Sequence, residues 1–200
     1  MNKRRVIVLF ISIVIIPITQ SCFVFGVREF SEEDMKWFLP YKNTETIIFR
    51  SERNEFDTII FLKADTNVSS TRCFQSGFYN TRTMKVTYQL TAGSYHKFAE
   101  RKEWQENERL MYIEKNSSRN RTYTEICFLG IIYSGKELED NVRRVDFNTY
   151  FFDGRKATYS RINIREGITH FTFDTDHGIL EYTDERNVNW KRKGSNYQTL

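Results

Sequence analysis

A mainly β protein is what the sequence predicts: a single antiparallel β domain, folded as a curved sheet, a sandwich or a partly open barrel of about 8–10 strands, with one short N-terminal helix. Three observations lead there. Aromatic residues are abundant, with 17 Phe and 11 Tyr in 200 residues, and aromatic and β-branched side chains suit a pleated, half-buried surface. The stretch "MKVTYQLT" places Met84, Val86, Tyr88 and Leu90 on one face and Lys85, Thr87, Gln89 and Thr91 on the other, which is the period of a half-buried antiparallel strand. Turn-forming clusters recur between short apolar runs, while the chain has only two prolines and no low-complexity linker, so one domain is expected.

The chain opens on "MNKRRVIVLFISIVIIPITQSC". Lys3, Arg4 and Arg5 form a positive n-region, and Val6 to Ile16 is apolar apart from Ser12. That run fits the apolar core of a secretory signal, and it falls short of the roughly 20 residues a spanning helix needs. Pro17 breaks the helix just ahead of the cleavage region. Residues 1–21 are read as a signal peptide, 22–30 as a tether and 31–200 as the β domain, with an ordinary cleaved signal and an uncleaved anchor helix as rivals.

Removing residues 1–21 takes three basic side chains and no acidic one from totals of 30 and 26, leaving 27 and 26. The +4 of the whole chain thereby falls to near +1. A nucleic-acid face needs clustered, uncompensated basic charge, so no nucleic-acid partner is expected.

Along the domain, Ser31 caps a helix expected through Leu39, with Glu32, Glu33 and Asp34 in its first turn and Pro40 ending it. Ile47 to Arg50 and Thr58 to Leu62 read as strands around the polar "SERNEFD". "YTEICFLGIIY" (123–133) is apolar on both faces toward its end and reads as a central strand. Asp153-Gly154 between two strand-like runs signals a hairpin. "ITHFTF", "ILEYT" and "VNW", separated by "DTDHG" and "DERN", read as a three-stranded meander. The charged stretch 98–110 reads as a long hairpin tip.

Thr19-Gln20-Ser21-Cys22 resembles the lipobox of bacterial lipoproteins, in the looser Ser-Cys form of Bacteroidetes-type members. The resemblance implies that Cys22 receives a diacylglyceryl group and becomes the mature N-terminus, so that labelled palmitate would mark it. "WFLPYKNTETIIFRSERNEFDTIIF" (37–61) and "ITHFTFDTDHGILEYTDERNVNWKRK" (168–193) resemble the start and end of small uncharacterised Bacteroidetes lipoproteins. They imply a β-rich envelope lipoprotein and bring no catalytic residues. Phe23 follows the cysteine and the first acidic residue is Glu29, so a periplasm-facing place on the outer membrane is expected, with surface exposure as the alternative.

Candidate sites follow from residue chemistry. With Cys22 lipidated, Cys73 and Cys127 remain as a pair that an oxidising periplasm could bridge, the alternative being two buried thiols. His170, Asp174, Asp176 and His177 form the densest set of potential metal ligands, but "DTDHG" is also turn material, and the turn reading is preferred, with no metal or cofactor expected. Trp104 stands among charges and is the candidate ligand contact, whereas Trp37 and Trp190 are expected in the core. Asp57-Thr58-Ile59 resembles a Bacteroidetes-type O-glycosylation acceptor. The chain carries no G-x-S-x-G, H-E-x-x-H or phosphate-cradling glycine loop. The expectation is a non-enzymatic lipoprotein, anchored to a membrane and meeting an envelope protein, lipid or glycan. A carrier of an apolar ligand in a curved sheet and an envelope hydrolase are the alternatives.

Overall fold

The computed structural model describes residues 27, 29–73, 77–98, 108–117, 122–160, 164–165 and 167–194. These form α1 (Glu32–Met35), a 3-10 helix (Lys36–Tyr41), β1 (Glu45–Ser51), β2 (Phe56–Phe61), β3 (Asp65–Cys73), β4 (Gly77–Leu90), β5 (Lys97–Phe98), β6 (Glu108–Asn116), β7 (Thr122–Phe128), β8 (Ile131–Ser134), α2 (Lys136–Asp140), β9 (Arg143–Arg144), β10 (Thr149–Asp153), a 3-10 turn (Gly154–Lys156), β11 (Tyr159–Ser160), β12 (Ile164–Arg165), β13 (Ile168–Asp174), β14 (Gly178–Asp184) and β15 (Asn189–Arg192).

Thirteen strands make one antiparallel sheet curved into a half-barrel, in the order β11-β8-β7-β6-β4-β2-β1-β15-β14-β13-β10-β9, with β3 also on β4. The short β5 and β12 pair separately. The strand count exceeds the expected 8–10 because four segments have only two residues each and because residues 123–133 divide into two strands. The alternation of "MKVTYQLT" holds: Met84, Val86 and Tyr88 are buried and Leu90 packs against them. The C-terminal meander also forms as read, and its last strand pairs with β1 (Phe49 opposite Arg192, Ser51 opposite Trp190). Segments 37–61 and 168–193 thus become one continuous block, β2-β1-β15-β14-β13.

Three local expectations are corrected. Residues 123–133 hold two strands, not one: β7 turns at Leu129 (φ 42°) and Gly130 (φ 90°) into β8. Two consecutive positive φ values are the two-residue hairpin turn whose twist matches paired strands. Asp153-Gly154 makes no hairpin. The Asp153 side chain accepts the Arg155 N–H and starts a 3-10 turn, and β11 pairs with β8 at the far edge of the sheet. Tyr133 Oη donates to Asp153 O at 2.6 Å, so side chains tie together edges that no ladder joins. The N-terminal helix has the expected Ser31 cap, and the structure adds the return bond of a capping box, so that Ser31 and Asp34 each accept the other's N–H. It is α-helical only to Met35 and tightens to 3-10 geometry through Tyr41 with Pro40 inside, since proline supplies no N–H for an α-turn. The short α2 was not legible in "KELED".

The concave face is packed with its own aromatic side chains. Phe152 stacks on Phe171 at 4.4 Å, Phe128 meets Phe171 edge-on at 5.4 Å, and Phe61 lies 5.6 Å from Tyr41. One end of the half-barrel, the helical end, is crossed by the 3-10 helix: Tyr41 O accepts from Ala64 N, and Trp37 lies 4.6 Å from Tyr150. The β9–β10 and β13–β14 turns belong to this end, and the β1–β2, β7–β8 and β14–β15 turns to the other.

Candidate functional site

β2 alternates inward and outward, and Asp57 takes an inward place beside Ile59 and Phe61. An apolar residue is expected there, yet the carboxyl is fully buried. Its Oδ1 accepts the Tyr95 N–H at 2.9 Å, and its Oδ2 accepts the Tyr182 hydroxyl. Burial, reinforced by the Asp57 charge and hydrogen bond, drives the Tyr182 hydroxyl far above its ordinary pKa, so it serves as a fixed donor. His96 is also fully buried, 5.4 Å from the Tyr182 ring and 6.3 Å from Trp190.

The 91–96 segment reaches this point because hydroxyls hold it. Thr91 Oγ1 donates to Thr58 O at 3.0 Å and Ser94 donates to the same oxygen. Tyr95 lies 5.1 Å from Trp190, with the Arg186 guanidinium 4.1 Å over its ring. Asp184, 1% exposed, accepts from the N–H groups of Arg186 and Val188 at 2.9 Å, from Trp190 Nε1 at 3.2 Å and from the Arg186 side chain. Burial raises its pKa, but the bonds from Val188, Trp190 and Arg186 outweigh that and hold the carboxyl below the usual range. The second mouth of the half-barrel is thereby closed by a polar clasp. Asp57, His96, Tyr182, Asp184 and Trp190 are buried there, while Tyr95 and Arg186 form the half-exposed outer layer, an arrangement that suits a structural fastening.

On the outer face, Tyr112 and Tyr123 lie diagonally across the β6–β7 ladder from each other, as do Glu114 and Glu125. Tyr112 Oη donates to Glu114 at 2.6 Å, and Tyr123 Oη donates to Glu125 at 3.1 Å, which also meets Arg109 at 3.5 Å. Partial burial, with the Glu114 bond, pushes Tyr112 up to about 12.

Of the four potential metal ligands, Asp174, Asp176 and His177 gather in the β13–β14 turn and His170 stands apart. Asp174 Oδ1 accepts the N–H groups of Asp176 and His177 and meets His177 Nδ1 at 2.8 Å, while Oδ2 accepts the Thr149 hydroxyl. Asp176 accepts from Asn148 at 2.6 Å. His170 lies four residues back along β13, opposite Asp153 and 5.1 Å from the Phe151 ring. Burial lowers its pKa. His170 and Asp174 keep the same parity along β13, whose pairing with β10 is continuous, but four strand residues, roughly 13 Å, separate them.

The Cys73–Cys127 bridge does not fit this register. Cys73 stands opposite Gly77 at the tip of the β3–β4 hairpin, while Cys127, buried on β7, is level with Val86–Thr87 of β4. Nine or ten strand residues amount to roughly 30 Å, far beyond the ~7 Å Cα separation a disulfide tolerates. Trp190 is buried and Trp37 is packed on the core, as expected. Cys22 and Trp104 lie outside the described residues. The Asp57 clasp escaped the sequence; its signal was a carboxylate on the inward parity of "FDTIIF".

Comparison of the chain with protein-family models, with curated proteins and with solved structures gives no match.

Proposed function

We propose that the protein is a non-enzymatic lipoprotein of the bacterial cell envelope, anchored through lipid on Cys22 and facing the periplasm, whose β domain has a structural or binding role. The observation that carries it is the order of residues 1–22: a basic n-region, an apolar run too short to span, and Ser21-Cys22 at the place where a lipobox ends. Two structural facts support the reading. The chain is docked on the domain from Glu29 onward, where Lys115 Nζ donates to Glu29 O at 2.9 Å, so only a short tether separates Cys22 from the fold. The clasp around Asp57 and Asp184 is committed to holding the barrel mouth, which favours a scaffold over a hydrolase.

The apolar-ligand carrier is the less favoured reading, because the concave face that would hold a lipid is filled by Phe61, Phe128, Phe152 and Phe171. Membrane fractionation of the wild type and Cys22→Ser tests the proposal. The wild type should sediment with membranes, resist salt and alkaline washes, and incorporate labelled palmitate. The Cys22→Ser chain should remain a longer precursor without label. Equal processing and equal labelling of the two would refute it.

A further inference from the structure

Exposed apolar side chains are distributed unequally between the two ends of the half-barrel. At the end crossed by the 3-10 helix, Phe147 is 82% exposed, Val145 51% and Leu39 42%. At the opposite end the turn tips present Glu52, Arg53 and Asn54, then Glu185, Arg186 and Asn187, all exposed and polar, while Phe56, 51% exposed, opens β2 just behind the first tip with the Lys193 ammonium 5.8 Å over its ring. Scattered single apolar residues need no explanation, but a one-sided set at turn tips does.

The Phe147 turn is also built to hold its shape. Arg144 donates from Nε to Asp146 O at 3.1 Å and from Nη2 to Phe147 O at 2.6 Å, while Asp146 Oδ1 accepts the Phe147 N–H at 2.6 Å. Asn148 ties the turn to Asp176 on the neighbouring β13–β14 turn. A loop tip so fastened, yet ending in an almost bare phenylalanine flanked by Arg143 and Arg144, has the form of a membrane-interface contact: an apolar tip with cationic side chains at headgroup level.

The occupant follows from where the chain leaves the fold. Phe30 packs against the core, Glu29 is held by Arg82 and Lys115, and both lie on the helical end. From Cys22 to Glu29 is seven residues, at most ~25 Å fully extended. We infer that the lipid-anchored domain rests its helical end on the bilayer, with Phe147 and Val145 of the β9–β10 turn entering the headgroup region and Leu39 beside them. The inference rests on the lipoprotein reading above and gives it an orientation: the clasp end, with Tyr95 and Arg186, points away from the membrane.

Hydrogen–deuterium exchange of the full chain tests it, comparing the lipidated protein in phosphatidylethanolamine–phosphatidylglycerol nanodiscs with Cys22→Ser in solution. Amides 144–148 should exchange about tenfold more slowly on the bilayer, with 52–54 and 185–187 unchanged. Phe147→Ser should abolish most of that slowing while leaving exchange in β13 and β14 unaltered. A lipidated chain whose 144–148 amides exchange as fast as in solution would overturn the orientation alone. A chain shown by mass to carry no lipid at Cys22 would overturn the lipoprotein reading and this orientation with it.

Discussion

Asp57→Ala is the most informative single change. The carboxyl is the shared acceptor for the Tyr182 hydroxyl, which is fully buried, and for the N–H of half-buried Tyr95. Removing it strands one buried and one half-buried donor at about 1–3 kcal/mol each, so the expected loss is about 4 kcal/mol. For a domain of this size each kcal/mol moves the thermal midpoint by about 2–4 °C, which predicts a fall of about 8–16 °C. Tyr182→Phe removes one donor, with an expected loss of about 1–3 kcal/mol. In the double variant the stranded hydroxyl is gone, so the two losses should fall short of additivity by about 1–2 kcal/mol. Urea denaturation of the full chain in mild detergent, followed by far-UV circular dichroism, measures all three against Lys42→Ala as an exposed control. If Asp57→Ala matched the control within about 0.5 kcal/mol and the pair were additive, the clasp would not be a fastening.

Gly178 has φ 82°, and a Cβ there would stand 2.6 Å from Tyr41 Oη, so Gly178→Ala should cost about 2–4 kcal/mol by the same urea assay; a loss under about 1 kcal/mol would mean the Tyr41 packing is loose. Ser31→Ala removes the acceptor for Asp34 N–H and should cost about 1 kcal/mol, read from the same midpoint; no shift would show that the capping box does not support the helix. Asp184 has a lowered pKa in the fold, so its stabilisation is complete above the ordinary carboxylate range and is lost as pH falls through the lower folded value. Asp184→Asn should therefore lose most stability near neutrality and little in strong acid, and urea midpoints across about pH 3–7 would expose a constant loss if the linkage were absent.

How much of this was legible depended on the range of each interaction. The strand through Met84, Val86 and Tyr88 was readable because its period is local, and so was the meander after residue 168, whose turns carry Asp and Gly at the needed places. The β7–β8 turn was not, because buried Leu129 occupies a positive-φ position that usually falls to Gly or Asn, hiding the break inside an apolar run. Asp153-Gly154 misled for the opposite reason: the Asp side chain bonded its own neighbour and sent the chain to another strand. The clasp lay beyond local reading altogether, since Asp57 and Tyr182 are 125 residues apart. Only the inward parity of Asp57 hinted that a buried partner was required. His170 and Asp174 show the converse, a shared strand parity that looks ligand-like in sequence but leaves roughly 13 Å of strand between the two side chains.

The proposed orientation on the membrane and the proposed periplasmic role both depend on the modification of Cys22. Intact mass spectrometry of the protein extracted from membranes with detergent tests it most directly. The account predicts a chain beginning at residue 22 and heavier than its polypeptide by a diacylglyceryl group, with or without a further acyl chain. A chain still beginning at Met1, or one cut elsewhere and carrying no lipid, would contradict it.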